Sequence, residues 1–232
     1  MEAMLNDPQA MYKVDSMNMF GALWGLPEQC EDAWRLGMEG PLPAAGAVSN
    51  ILVTGLGGSA IGGDLLRTYT SGKMPVPVAV NRDYLLPEYV DSSTLVFAIS
   101  YSGNTEETLS AYAEARSRGA SILALTTGGK LKEQAQKDGV PVIVIPGGIS
   151  PRAATGYLFL PMLAVLQRMG LLNGIENEVK SLVRLLEEIR ESLKPESPME
   201  TNLAKQLAQK LHNRIPVIWG VGSNTEVVAQ RF

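Results

Sequence analysis

The chain of 232 residues contains one cysteine and one histidine, and this scarcity excludes several kinds of site. Cys30 has no second cysteine to pair with, so no disulfide can form within the chain. A reducing compartment, the cytoplasm, is therefore the expected location. A zinc site built from cysteine and histidine needs three or four such ligands. We expect no metal site of that kind.

Basic tracts and long apolar runs are also missing. The 20 basic and 24 acidic residues give a net charge of −4, and no basic cluster stands out, which argues against nucleic acid as a partner. The longest uncharged run, residues 40–63, is interrupted by prolines and glycines, whereas a membrane-spanning helix needs about 20 apolar residues. The N-terminus has no apolar segment of the secretory type. We expect a cytoplasmic protein with no membrane partner.

Hydrophobic residues, by contrast, make up 45% of the chain, enough for a sizeable core. Five short apolar runs have the length of strands, and helix-length segments lie between them. The runs are residues 50–54, 76–80, 94–99, 121–125 and 140–145. Because they are continuous rather than alternating, they are typical of parallel strands buried on both faces. The pattern predicts an α/β fold: a doubly wound five-stranded parallel sheet flanked by helices.

The chain divides into four segments. We expect an N-terminal helical segment at 1–45, a first α/β domain at 46–172, connecting helices at 173–213 and the beginning of a second, similar domain at 214–232. The last assignment depends on an internal likeness between residues 215–223 and residues 51–59. The first segment is Ile-Pro-Val-Ile-Trp-Gly-Val-Gly-Ser and the second is Ile-Leu-Val-Thr-Gly-Leu-Gly-Gly-Ser. Residues 215–219 are accordingly expected to form a strand.

The first segment that carries chemistry is the glycine loop, Gly-Leu-Gly-Gly-Ser-Ala at residues 55–60. It joins a predicted strand to a predicted helix. Glycines let the backbone approach a ligand closely, and the helix start presents free N–H groups and positive potential. Gly58 and Ser59 are therefore candidate anion-binding residues. The loop also fits the dinucleotide pattern Gly-x-Gly-x-x-Ala. No lysine follows the glycines, which excludes a triphosphate-binding P-loop.

The second such segment is the serine loop, Ser-Tyr-Ser-Gly-Asn-Thr at residues 100–105, which follows the third predicted strand. One serine or threonine at a helix start is usually only an N-cap. Ser100, Ser102 and Thr105 together exceed what one cap needs. Ligands of open α/β sheets bind at the carboxyl ends of the strands. The hydroxyls and backbone N–H groups of the two loops predict a phosphate-binding site.

The third such segment, the proline–arginine segment, is Gly-Gly-Ile-Ser-Pro-Arg-Ala-Ala-Thr-Gly at residues 147–156. It follows the fifth predicted strand and so lies at the same edge of the sheet. A cation here is often only a surface or capping residue. Beside an anion site, however, Arg152 could stabilise a developing negative charge.

These three segments, in this order and spacing, resemble the sugar isomerase (SIS) fold. More narrowly, they resemble the bifunctional phosphoglucose/phosphomannose isomerases of archaea and bacteria. The resemblance implies an aldose–ketose isomerase of hexose 6-phosphates that is homodimeric and uses no cofactor. It implies that Gly58, Ser59, Ser100, Ser102 and Thr105 hold the sugar phosphate. Arg152 would lie near C1 and C2 of the open-chain sugar and stabilise the enediolate.

The resemblance also implies residues that we expect this chain to lack. The general base of these isomerases is a glutamate shortly after the first turn of the second domain, and this sequence stops at Phe232, before that point. The ring-opening histidine and a lysine lie further on. His212 precedes the predicted strand at 215–219 and is interpreted as a helix-end residue. Glu106 and Glu107 are interpreted as favourable charges in the first turn of a helix rather than as the base.

Two alternatives stay open from the residues alone. A non-catalytic SIS module that senses a sugar phosphate would explain a phosphate site without a base, although such modules usually accompany a DNA-binding domain and no helix-turn-helix or basic patch is seen. A dinucleotide-dependent oxidoreductase would use the glycine loop, with Asp83 as the acid that binds the ribose. That alternative leaves the serine loop without a role.

Overall fold

The fold is given by a computed structural model, which describes residues 2–44, 46–222 and 224–231. Its strands are β1 (Asn50–Thr54), β2 (Val78–Asn81), β3 (Thr94–Ser100), β4 (Ser121–Thr126) and β5 (Val142–Val144). Its helices are α1 (Glu2–Leu5), α2 (Pro8–Val14), α3 (Met19–Trp24), α4 (Leu26–Glu39), α5 (Gly58–Thr70), α6 (Glu106–Ser117), α7 (Gly129–Lys137), α8 (Thr155–Arg168), α9 (Ile175–Ser192), α10 (Leu203–Leu211) and α11 (Glu226–Arg231). A short 3₁₀ turn, Pro151–Ala153, precedes α8.

The five strands form one parallel sheet in the order β2-β1-β3-β4-β5, which confirms the predicted architecture. Every residue of the central strand β3 is buried, as its continuous apolar run indicated. Strand β2 lies at an edge, where the preceding Pro77 costs no hydrogen bond in the sheet. The carbonyl of Pro77 accepts a hydrogen bond from the N–H of Ile51.

Helices cover both faces of the sheet. Ile51 and Val53 of β1 belong to the larger core cluster, which includes residues of α4, α5, α8 and α9. Leu52, between them, belongs to the smaller cluster with residues of α6 and α7. This alternation follows from the period of two along a strand. Both faces are therefore apolar, and polar chemistry is confined to the strand ends.

The strand order fixes where that chemistry meets. The chain runs outward from β1 to β2, then returns past β1 to β3, so the winding direction reverses between β1 and β3. In open α/β sheets this reversal leaves a crevice at the carboxyl ends of the strands. The glycine loop follows β1 and the serine loop follows β3, so the topology places both at this crevice.

The strand expected at residues 215–219 is not formed, and that prediction is wrong for this structure. Residues 215–220 are irregular, and the side chains of Ile215, Val217 and Trp219 are 93%, 71% and 88% exposed. A strand needs a neighbouring strand to satisfy its backbone N–H and C=O groups. Among the described residues, none pairs with this segment. Ser223, the last residue of the internal likeness, lies outside the described residues.

Helix α11 follows that segment and packs against α5 of the sheet domain. The contact includes an ion pair of 2.5 Å between Arg67 of α5 and Glu226 of α11. Among the helices of the described ranges, none combines the length and apolarity that crossing a bilayer requires.

Candidate functional site at the carboxyl ends of the strands

The glycine loop turns sharply from β1 into α5. Gly57 has a φ of +55°, a left-handed conformation that favours glycine. Gly55 lies so close to β3 that a Cβ there would be 2.9 Å from the carbonyl oxygen of Ile99. Ser59, in the first turn of α5, is buried, and its Oγ accepts a hydrogen bond of 3.2 Å from the backbone N–H of Tyr101. The glycine loop is thus joined directly to the serine loop.

The serine loop is held by its own hydroxyls. Ser100, at the end of β3, is fully buried, and its Oγ lies 2.9 Å from Oγ1 of Thr105. Thr105 is the N-cap residue of α6. Ser102 is exposed, and its Oγ accepts a hydrogen bond of 3.2 Å from the N–H of Asn104. The buried Ser100 therefore holds the side chain of Thr105 through a hydrogen bond, while the side chain of Ser102 lies at the surface.

Tyr101 connects these loops to the neighbouring strand ends. Its carbonyl accepts a hydrogen bond of 2.7 Å from Thr127 Oγ1, just after β4. Its hydroxyl oxygen accepts one of 3.3 Å from the N–H of Ile149, in the proline–arginine segment. One residue of the serine loop thus contacts the segments that follow β1, β4 and β5. Sequence reasoning treated Tyr101 only as a residue between two serines.

The proline–arginine segment lies against the glycine loop. A Cβ on Gly58 would be 2.8 Å from the carbonyl oxygen of Pro151. The buried Gln29 of α4 holds the 3₁₀ turn through two hydrogen bonds. Its Nε2 donates to the carbonyl of Ala153 (3.1 Å), and its Oε1 accepts from the N–H of Gly156 (2.7 Å). Arg152 is consequently fixed beside the start of α5.

Arg152 lines a pocket of about 360 Å³, which the glycine loop closes on one side. The residues that line it are Gly57, Gly58, Ile61, Arg82, Arg152, Gln230 and Arg231. Nη2 of Arg152 donates a hydrogen bond of 2.7 Å to the carbonyl of Arg231. The guanidinium of Arg231 donates in return to the carbonyl of Arg152 and, over 2.7 Å, to Thr155 Oγ1. Burial lowers the pKa of Arg231, and the charge of Arg152 lowers that pKa further.

Sequence reasoning missed Arg82 and Arg231 as pocket residues. The position of Arg82 directly after β2, at the same sheet edge as the loops, was a usable signal. Arg231 gave none, since only tertiary folding brings it next to Arg152. Three arginines around a glycine turn make the pocket suited to an anionic ligand.

The other polar candidates lie at helix ends and in an exposed loop. His212 is exposed at the C-cap of α10, as expected. Glu106 and Glu107 lie in the first turn of α6, also as expected. The carboxylate of Asp83 accepts a hydrogen bond of 2.7 Å from the N–H of Tyr84 in its own exposed loop. Within the described ranges, no group of three or more His, Cys, Asp or Glu side chains could hold a metal ion.

Two parts of the chain are similar to SIS domain families. Residues 47–138 match the SIS domain family, and residues 200–232 match the family of the bacterial phospho-glucose isomerase C-terminal SIS domain. The crystal structure of a hypothetical protein from Thermus thermophilus has the same fold, with a TM-score of 0.62 and 22% sequence identity. The match covers 88% of this chain and 50% of that one.

Curated relatives narrow the class. The chain is 52% identical over 215 residues to the bifunctional phosphoglucose/phosphomannose isomerase of Caldicellulosiruptor bescii, a match that covers 92% of this chain and 63% of that protein. The protein of the same name from Thermoplasma acidophilum is 50% identical to this chain over 118 residues, which are 51% of this chain and 36% of that protein. The chain is thus a homologue of the bifunctional phosphoglucose/phosphomannose isomerases, and it spans less than two thirds of the length of these relatives.

Proposed function

We propose that this chain binds a hexose 6-phosphate and belongs to an enzyme that interconverts glucose 6-phosphate, and mannose 6-phosphate, with fructose 6-phosphate. One observation carries the proposal: the glycine and serine loops, joined through Ser59 and Tyr101, lie next to the pocket that Arg152 lines. An anion-binding edge beside a cationic pocket suits a ligand with a phosphate at one end and a reactive polar group at the other. The names of the relatives support the same substrate class.

The phosphate is assigned to Gly58, Ser59, Ser100, Ser102 and Thr105. The loops supply hydroxyls and the free N–H groups at the starts of α5 and α6. Each hydrogen bond to a charged group contributes about 1.5–3 kcal/mol, so four or five of them can hold a small phosphorylated molecule. No metal or nucleotide is needed to hold a phosphate in this way.

The proposed reaction moves a proton from C2 to C1. A base removes the C2 proton of the open-chain aldose, the electrons of that bond form the C1–C2 double bond of a cis-enediolate, and the carbonyl electrons move to O1. The proton is returned at C1 while the hydroxyl proton of O2 passes to O1, which gives the ketose. The guanidinium of Arg152 stabilises the negative charge of the enediolate, which is present mainly in the transition state and the intermediate. We assign the base and the ring-opening histidine to residues outside 1–232, as the resemblance implies.

The strand order argues against the dinucleotide alternative. Dinucleotide-binding sheets have the order 3-2-1-4-5-6, whereas this sheet has β2-β1-β3-β4-β5. Asp83 lies in an exposed loop, where its carboxylate accepts a hydrogen bond from the N–H of Tyr84. The non-catalytic sensing function is an outcome that the catalytic test below distinguishes. Homodimeric packing is part of the proposal and is tested by sedimentation equilibrium.

Calorimetric titration with fructose 6-phosphate tests the binding step. We expect weak but saturable binding, and we expect Ser102→Ala to reduce the affinities for fructose, glucose and mannose 6-phosphates by the same factor, since it removes a contact to their common group. Ser110→Ala, an exposed serine on α6, is the matched control. A chain that binds none of the three sugars would overturn the proposal.

Deuterium washout from C2 of labelled glucose 6-phosphate tests the chemical step. Residues 1–232 are expected to exchange it negligibly, because a positioned acid or base contributes about 10²–10⁴-fold. In the complete enzyme, Arg152→Ala is expected to lower kcat far more than it raises KM. Rapid washout by residues 1–232 would place the base within this chain. Binding without exchange by the complete protein would favour the sensing function.

A further inference from the structure

A second arginine lines the pocket of Arg152 and is anchored by a buried carboxylate. Arg82 follows the last residue of β2, and its guanidinium donates a hydrogen bond to the carboxylate of Asp64 on α5. The side chain of Asp64 is only 7% exposed, whereas that of Arg82 is 38% exposed. Burying a carboxylate is costly unless it is paired. The ion pair with Asp64 therefore holds one side of the Arg82 guanidinium in place, and Arg82 also lines the pocket.

The strand order places Arg82 at a defined position relative to the proposed phosphate site. Arg82 lies at the end of β2 and the serine loop at the end of β3, with the glycine loop of β1 between them. Neighbouring strands are about 4.8 Å apart, so the two ends are separated by roughly 10 Å. An extended hexose 6-phosphate has a comparable length. A ligand with its phosphate on the serine loop would extend over the end of β1 toward Arg82.

The charges around the pocket favour an anion despite the negative net charge of the chain. Four arginines, Arg67, Arg82, Arg152 and Arg231, lie in or next to the pocket. They are accompanied by the carboxylates of Asp64 and Glu226.

We propose that Arg82 is a further ligand-binding residue, which donates hydrogen bonds to the oxygen atoms of the sugar at the end remote from the phosphate. Asp64 is its positioning residue. Five donors in a planar fork allow one guanidinium to bind the Asp64 carboxylate and ligand oxygens together. This inference depends on the proposed function and assigns a residue to the sugar end of the same site.

Titration with two ligands distinguishes the contribution of Arg82 to binding of the sugar from any contribution to binding of the phosphate. Affinities for fructose 6-phosphate and for inorganic phosphate are measured by calorimetry on the chain and on Arg82→Gln, whose amide can still donate to Asp64. We expect the affinity for fructose 6-phosphate to fall about 10- to 100-fold, the range for a charged hydrogen bond. The affinity for inorganic phosphate should change by less than about threefold, because charges beyond a Debye length are largely screened. Arg116→Gln is the matched control, since Arg116 is an exposed arginine paired with Asp138 on the far face.

The positioning role of Asp64 has its own readout. Asp64→Ala is expected to reproduce the selective loss of fructose 6-phosphate, whereas Asp64→Asn, which keeps an acceptor for Arg82, should recover most of the affinity. Thermal melts check that each variant folds. If a variant does not fold, Arg82→Lys is measured in its place. Equal losses for both ligands, or no loss for either, would overturn the inference. A wild-type chain that binds no sugar phosphate would instead overturn the proposed function.

Discussion

The hydroxyl of Ser59 accepts a hydrogen bond of 3.2 Å from the backbone N–H of Tyr101, and this bond ties the turn after β1 to the turn after β3. The two residues are far apart in sequence and lie on either side of the point where the sheet reverses its winding. Because Ser59 is buried, water cannot readily replace the bond. The shape of the proposed phosphate site thus depends on a contact between its two loops.

Ser59→Ala is expected to lower the free energy of unfolding by about 1–3 kcal/mol, because the N–H of Tyr101 loses its acceptor in a buried place. The same variant should weaken binding of fructose 6-phosphate. Urea denaturation and calorimetry measure the two effects. Ser110→Ala, at an exposed position of α6, should change neither. An unchanged stability in Ser59→Ala would show that this bond does not hold the loops together.

Gly103→Ala tests the close packing of the serine loop. Gly103 and Gly139 both have a φ of +71°, but a Cβ on Gly103 would be 1.8 Å from the carbonyl oxygen of Gly128, whereas nothing lies within 4 Å of one on Gly139. Gly139→Ala should cost about 1–2 kcal/mol from the left-handed backbone alone. Gly103→Ala should cost at least about 2 kcal/mol more, because the carbonyl must move. Equal urea midpoints for the two variants would contradict this assignment.

Gln29→Ala tests how the proline–arginine segment is held. The substitution leaves the N–H of Gly156 and the carbonyl of Ala153 without their side-chain partner. We expect a loss of about 2–4 kcal/mol in the free energy of unfolding, since each unsatisfied buried group costs about 1–3 kcal/mol. Gln134→Ala, at an exposed position of α7, is the control and should be nearly neutral. A loss of fructose 6-phosphate affinity in Gln29→Ala beyond that of the control would show that Gln29 also supports Arg152.

Cys30 is expected to be a poorly reactive thiol. Burial raises its pKa from 9.0 to about 11, which reduces the thiolate at pH 8 about 100-fold. Iodoacetamide should therefore alkylate the native chain at least about 100-fold more slowly than the urea-unfolded chain. Because the folded pKa is the higher one, the stabilisation is complete below pH 9 and is lost as the pH rises toward 11. Comparable alkylation rates in the two states would show that Cys30 is accessible.

Much of the sheet could be predicted from local sequence. The run at residues 121–125 became β4 (Ser121–Thr126) with one residue added, because an apolar run between turn signals is stable only as a buried strand in this context. The run at 215–219 is also largely apolar, but it did not form a strand. The difference lies in the neighbours, since β4 pairs with β3 and β5 while residues 215–219 pair with no described strand.

The sequence by itself determined the alternation of strands and helices and the two loops rich in glycine and hydroxyl groups, because these depend on residues close together in the chain. Only the tertiary structure decided the strand order, which brings Ser59 to Tyr101. It also decided the packing of α11 on α5, so that Arg231 as well as Arg82 lines the pocket of Arg152. Periodicity describes which face of an element is buried, but not which other element covers it. Contacts between residues distant in the chain depend on how the helices and strands pack, and here those contacts complete the proposed site.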